Sequence, residues 1–425
     1  MKLRIRLGAG LNKPGSLVTA APRQALWLLA FMWGAYFLNY CDRQAIFSMF
    51  PVLRSGLGLT DTQLGLTGSI FLWVYGIGCP IAGQIGDRFS KRLLVALSLA
   101  VWSVVVIITG LASSAVVLLA LRGAMGIAES LFMPSAIALT AGAFPPARRS
   151  RAIAALTTAQ IAGVVGGGWF GGWMAQQGRW REAFFTLGAA GVLYALPYFL
   201  FLQGVKEETR EEKAQTAGGF AMAELFRSPI FLLLCVVFSI FVFGLWLLYS
   251  WLPDFLHEKF ALDLSDAAFN ATAFLQGAAF VGILGGGFLA DWLFQFSRAA
   301  RLWLLVASLA LCAPCLHLLG SGGSLVATRL AAVGFGLSAG LLQGNIFPAA
   351  FEIVSLNARA SAVGLLNFFG AAVSGCATLF GGVWKKSVGI ERLLTMTGLA
   401  YFASALLLIL GLQLLFPPTV KESVE

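Results

Sequence analysis

Long apolar runs separated by short polar breaks occupy the chain from about residue 24 to residue 416. Twelve of them reach about 20 residues, the length that crosses a hydrocarbon core. They centre near residues 37, 74, 103, 131, 163, 194, 243, 278, 310, 338, 372 and 403. In lipid every backbone N–H and C=O must be satisfied within its own segment, so each run is predicted to be an α-helix. The longest interruption, Val205 to Arg227, carries the mixed-sign runs Lys206-Glu207-Glu208 and Glu211-Glu212-Lys213 and reads as a solvated linker. The pattern therefore predicts an all-α integral membrane protein of twelve transmembrane helices in two six-helix halves. Its parts would be a tail at 1–23, a bundle at 24–204, a linker at 205–228, a second bundle at 229–416 and a tail at 417–425.

The halves resemble one another. Phe71 to Asp87 closes span 2 with glycine-rich sequence and an acid, and Phe274 to Asp291 does the same for span 8. Arg151-Ala-Ile-Ala after span 4 has a counterpart in Arg359-Ala-Ser-Ala after span 10. Duplicated halves are a mark of transporters, whose substrate sites lie near the midplane where the halves meet. Glycine runs inside the spans, such as Gly163 to Gly172 and Gly282 to Gly287, suit close helix packing in lipid.

Composition agrees: 59% of residues are hydrophobic, 11% are charged and the mean hydropathy is +0.84. The net charge of +10 would suit a nucleic-acid partner, but its placement argues for topology instead. With the N-terminus in the cytoplasm, about 19 of the 29 Lys and Arg fall on the inner side, the positive-inside bias. That orientation puts both termini in the cytoplasm of a multi-pass protein of the cell (inner or plasma) membrane. No cleavable signal peptide is expected, since the first apolar run is a full span. All six cysteines fall in apolar runs; Cys312-Ala-Pro-Cys315 has redox spacing but is embedded in a membrane run, and reads as buried thiols. No phosphate-cradling P-loop is present, so no cofactor, metal or enzymatic activity is expected.

Against this background four charges stand out: Asp42 and Arg43 in the run from Leu26 to Leu53, and Arg122 and Glu129 in the run from Leu118 to Phe144. A charge at the bilayer centre costs about 3 kcal/mol even on the most lenient insertion scale, so such residues line cavities or pair with one another. Arg122 and Glu129 are seven apart and share a helix face, about 10 Å apart along the axis. Asp42 and Arg43 diverge by about 100°, so both border one cavity only if it is broad or the helix is broken. A substrate anion that engages Arg43 would weaken that cation's hold on Asp42 and favour protonation of the acid, a physical route to proton coupling. A buried network bracing two helices is the plainer reading of the same four residues. Arg329 can snorkel from the start of span 10, and Asn270, Gln343 and Asn345 suit interhelical hydrogen bonds.

The loop after span 2 reads Gly83-x-x-x-Asp87-Arg88-Phe89-Ser90-Lys91-Arg92. It resembles the loop motif of the major facilitator superfamily, G-x-x-x-D-R-x-G-R-R, with Ser90 for the second glycine and Lys91 for an arginine. The second-half counterpart, Gly287-x-x-x-Asp291-Trp292, keeps the acid without the adjacent base. The resemblance implies a conformational gate made by Gly83, Asp87, Arg88, Lys91 and Arg92. Within that superfamily, Tyr40-Cys41-Asp42-Arg43 and Arg122…Glu129 resemble the anion:cation symporters of sugar acids and sugar phosphates. That likeness implies substrate contacts at Arg43, Tyr75, Arg122, Gln160 and Asn367, and proton coupling at Asp42 and Glu129. Asn39-Tyr40-x-Asp42-Arg43 also resembles the Spinster-like lysolipid transporters. A drug:proton antiporter is disfavoured because span 5 lacks a Gly-Pro pair, and a transporter-like sensor because no output domain is seen. The sequence thus implies a proton-coupled symporter of a small organic anion, working as a monomer among membrane lipids, with a lysophospholipid or sphingoid transporter as the alternative.

Overall fold

The computed structural model describes residues 22–205, 218–297, 299–355 and 358–415. Residues 1–21 and 417–425 of the expected tails and residues 206–217 of the expected linker lie outside them. Helix follows helix along the described chain: α1 (Pro22–Ala45), a 3₁₀ turn at Ile46–Met49, α2 (Phe50–Gly56), α3 (Asp61–Arg88), α4 (Lys91–Thr109), α5 (Ala115–Ser130) and α6 (Phe132–Ala143). Next come α7 (Pro146–Gln176), α8 (Trp180–Gln203), the short α9 (Gly218–Arg227) and α10 (Pro229–Phe260). The last are α11 (Leu264–Phe294), α12 (Ala300–Ser321), α13 (Leu325–Ile353), α14 (Arg359–Trp384) and α15 (Ile390–Leu415). Among the described residues, eleven stretches are long and apolar enough to cross a membrane, α5 and α6 together forming one of them. The twelfth expected span is α1. It has 24 residues, enough to cross, but Trp, Tyr, Asn and the Asp42–Arg43 pair lower its hydropathy.

Local sequence sets the helix starts. Thr60, Ser90, Ser114, Ser228 and Ser324 sit in extended backbone, and each side chain accepts the N–H three residues on. At α3 the box is reciprocal, Gln63 accepting from the Thr60 N–H at 2.9 Å.

Two runs expected to be continuous are interrupted. The first helix tightens into the 3₁₀ turn four residues after Asp42, and the fourth run breaks at Leu131, directly after Glu129 and Ser130. Both breaks fall beside the intramembrane charges.

Helices of the first half meet those of the second along two seams. On α3 and α14, Ser69 Oγ donates to Gly375 O (2.7 Å) and Trp73 Nε1 to Ala372 O (2.9 Å). On α7 and α11, Ser265 Oγ donates to Gln176 Oε1 at 3.2 Å, and Gln44 of α1 reaches Tyr249 O of α10 at 2.9 Å. The α3–α14 seam runs from Asp61 beside Gly382 to Gly76 beside Ala371. One and two turns further along α14, Asn367 and Gly364 are exposed, and a Cβ at Gly364 would meet open space. The halves are shut at the end bearing Asp61 and part toward the other.

Candidate functional site

The four intramembrane charges converge inside the first half, all at most 5% exposed. Glycine makes the convergence possible. A Cβ at Gly167 would lie 2.3 Å from Cys41 Cα, so α7 packs directly on α1 beside Asp42; one at Gly126 would lie 2.8 Å from Phe71 O, so α5 packs on α3.

Arg43 Nε donates to Glu129 Oε2 at 2.5 Å. Its guanidinium lies over three rings, with centroids at 5.0 Å (Tyr40), 4.8 Å (Phe71) and 4.5 Å (Tyr75). Arg122 Nε donates to the Thr67 carbonyl at 3.0 Å, its Nη1 approaches Met125 Sδ at 3.2 Å, and its guanidinium lies 4.7 Å from the Phe71 centroid. Arg43 therefore pairs with Glu129 and not with its chain neighbour Asp42. Asp42 turns into the bundle toward Trp102 of α4 and Arg122, and its Oδ1 has no hydrogen-bond partner.

Buried polar atoms without partners concentrate here: Asp42 Oδ1, Arg43 Nη2 and Arg122 Nη2. Buried polar groups are nearly always satisfied, and a cluster of exceptions marks a place where a proton, water or ligand is handled. Counted as ionised, two acids and two arginines leave the cluster neutral.

Of the other residues singled out in the sequence, Tyr75 stacks on Arg43, and Gln160 of α7 accepts from Tyr36 Oη at 3.1 Å. Tyr36 in turn packs edge-on to Tyr40 at 5.1 Å, which links Gln160 to the cluster. Asn367 is exposed on α14, and none of the described contacts joins it to these residues.

In the gate loop, Gly83, Asp87 and Arg88 lie on the last turns of α3, and the Asp87 and Arg88 side chains are outside the described residues. Lys91 opens α4. Arg92 donates to Val205 O at 2.5 Å and Gln203 O at 3.4 Å, at the end of α8. It thus caps a helix of its own half, where the cation also meets the negative end of the helix dipole. In the second half, Asp291 does have a base: Arg301 of α12 donates to it at 2.8 Å and also to Glu352 of α13. The missing adjacent arginine is replaced in space by one ten residues later.

Sequence reading missed a second charged site, at the shut end. Arg54 Nη2 lies 2.8 Å from Asp61 Oδ1 and 3.0 Å from Asp254 Oδ2, and Lys385 Nζ pairs with Asp254 and, at 2.6 Å, with Glu258. Asp254, an acid within the span-7 run, gave the same signal as Asp42. Among the described residues no cluster of His, Cys, Asp and Glu is arranged to hold a metal ion, and all six cysteines are free.

Two helical halves that close on each other at one end, with a buried charged cluster inside the first of them, define a membrane transporter. The chain belongs to the Major Facilitator Superfamily, whose model matches residues 32–378. It is 30% identical over 300 residues to a probable sulfoacetate transporter of Cupriavidus necator, covering 65% of this chain and 67% of that one. It is 26% identical over 398 residues to a hexuronate transporter of Bacillus subtilis, covering 90% and 93%. In fold it is similar to a bacterial homolog of the human lysosomal transporter Spinster, in an inward-facing and occupied conformation. That likeness has a TM-score of 0.75 at 22% identity, over 93% of this chain and 97% of that one.

Proposed function

We propose that the chain transports an amphiphile with a compact polar head and an apolar body, of the lysophospholipid or sphingoid class, by alternating access. The observation that carries this reading is the self-neutralising charge cluster in an aromatic box. With Arg43 paired to Glu129 and the four charges summing to zero, the cluster has no net positive charge to draw a hydrated anion in from water, whereas Tyr40 and Tyr75 set aromatic rings about the Arg43 cation and Tyr36 packs edge-on to Tyr40. An apolar groove of about 490 Å³ also lies between α10, α14 and α15, lined by Ile240, Phe243, Phe369, Val373 and Met396 among others. It is of the size that holds a drug-sized ligand and of the polarity that suits an acyl chain.

Protonation at Glu129 leaves the cluster with a net positive charge, which favours the oxyanion of a head group at Arg43; Asp42 exchanges protons with the same cluster. The positive-inside bias puts the Asp61 end outside, both termini in the cytoplasm, and makes this conformation inward-open. The gate residues of the α3–α4 loop favour one of the two conformations without touching substrate.

A second reading, symport of a small hydrophilic organic anion with protons, is favoured by Tyr75 stacked on Arg43, by the Gln160–Tyr36–Tyr40 chain that leads to it, and by what the relatives carry. Proteoliposomes separate the two. Accelerated transbilayer movement of fluorescent lysophosphatidylethanolamine, with no pH-driven uptake of hexuronate or galactonate, is the expected result. The reverse outcome would replace the first reading with the second.

A further inference from the structure

One aromatic ring holds both arginines. Phe71 of α3 is 1% exposed, and its centroid lies 4.8 Å from Arg43 Cζ and 4.7 Å from Arg122 Cζ. The two cations arrive from different helices, α1 and α5, with α3 supplying the ring. Two cations on one buried ring repel each other, and the negative face of an aromatic quadrupole offsets that repulsion in a way an aliphatic side chain of equal volume does not.

The anchoring of each guanidinium is alike. Both use Nε to hold an acceptor on the protein, Glu129 Oε2 for Arg43 and Thr67 O for Arg122. Both leave Nη2 buried without a partner. The result is two unpartnered N–H donors on guanidiniums fixed at one end and laid on a common ring, the arrangement that charge-assisted recognition of a carboxylate or phosphate requires.

We propose that Phe71 is a positioning residue for the substrate's oxyanion: it sets Arg43 and Arg122 as a pair whose Nη2 donors meet one carboxylate or phosphate group. The head-group class rests on the transport reading above, but the pairing of the arginines does not. Gly126 contributes by letting α5 approach the Phe71 carbonyl, which brings Arg122 within reach of the ring.

The test uses the full chain in detergent, with arginine Nε–Hε resonances of Arg43 and Arg122 followed by NMR while inorganic phosphate is titrated. Both resonances should move along one binding curve in the parent. Phe71→Leu, which keeps apolar volume, should weaken phosphate binding about tenfold and remove the Phe71 share of the ring-current shift from both arginines. Replacing Phe71 with mono-, di- and trifluorinated phenylalanine keeps the shape and drains the quadrupole, so affinity should fall step by step with fluorine count. Phe71→Tyr should bind as the parent does. Equal affinity across the fluorinated series, or a response from one arginine alone, overturns the proposal. In proteoliposomes, Phe71→Leu should raise KM for lysophosphatidylethanolamine about tenfold at unchanged kcat. A parent that moves no lysophospholipid would sink the amphiphile reading, while the phosphate titration would still decide the role of Phe71.

Discussion

Arg43 Nε lies 2.5 Å from Glu129 Oε2, and the two side chains are 6% and 0% exposed. The pair joins α1 to α5 across 86 residues of chain and leaves Asp42, the residue just before Arg43, to face Trp102. Removing one partner of a buried ion pair strands the other, which costs about 3–5 kcal/mol. Arg43→Gln should therefore lower stability by about that much, and Glu129→Gln added to it should restore most of the loss, because neither side chain is then left charged and alone. Thermal unfolding in detergent of the two single variants and the double variant checks this. Additive losses would mean that the two residues are not coupled.

The same contact sets the proton prediction. Glu129→Gln imitates a permanently protonated acid and leaves Arg43 without its partner, so substrate exchange should persist while pH-driven accumulation disappears. Asp42→Asn should show the same split. Both are read as counterflow against net uptake in proteoliposomes across an inward pH gradient. If both neutral variants still concentrate substrate on a pH gradient alone, coupling lies elsewhere and the acids brace the bundle.

The helices were legible because lipid admits so few ways to satisfy a backbone, and a run of about 20 apolar residues leaves little choice. The charged residues were legible for the same reason: Asp42, Arg43, Arg122 and Glu129 stand out against apolar neighbours. Their partners were not. Adjacency suggested Asp42 with Arg43, but successive helical side chains point about 100° apart, and the 3₁₀ turn and the break at Leu131 decide which acid faces which base. Phe71 gave no signal at all, one phenylalanine among 35. Its role is visible only once two arginines from other helices lie on its ring. Asp254 was visible and passed over, because its bases, Arg54 and Lys385, sit in short polar breaks where charges are ordinary.

The α3–α14 seam gives a steric prediction. A Cβ at Gly382 would lie 2.1 Å from the Asp61 carbonyl oxygen, a backbone atom that cannot swing away. Gly382→Val should force the shut end apart and shift the population toward the conformation open there. Gly364→Val, in open space on the same helix, should leave the distribution as it is. Spin labels at the exposed Ser55 and Ser387, with distances measured by electron–electron resonance, distinguish the two variants. Unchanged distances in Gly382→Val would mean that α14 does not close on α3 at this end.

The charged site at that end is built so that opening strands no charge. Arg54 bridges to Asp254 at 3.0 Å, but it also holds Asp61 of its own half at 2.8 Å, while Asp254 is held by Lys385 of its own half. When the halves part, each acid keeps a base. Removing the bases one at a time should therefore act in opposite directions. Arg54→Gln deletes the bridge and should favour the conformation open at this end. Arg54 is about one-third exposed, so solvent screening limits the effect to about 1 kcal/mol, roughly a fivefold change in the ratio of the two conformations. Lys385→Met leaves the fully buried Asp254 with Arg54 as its remaining base, so parting the halves would bare a carboxylate in the protein interior. That variant should resist opening at this end, and Asp254→Asn combined with it should remove the resistance. The same pair of labels at Ser55 and Ser387 reads all three variants. A shift in the same direction for Arg54→Gln and Lys385→Met would show the cluster to be a passive surface network.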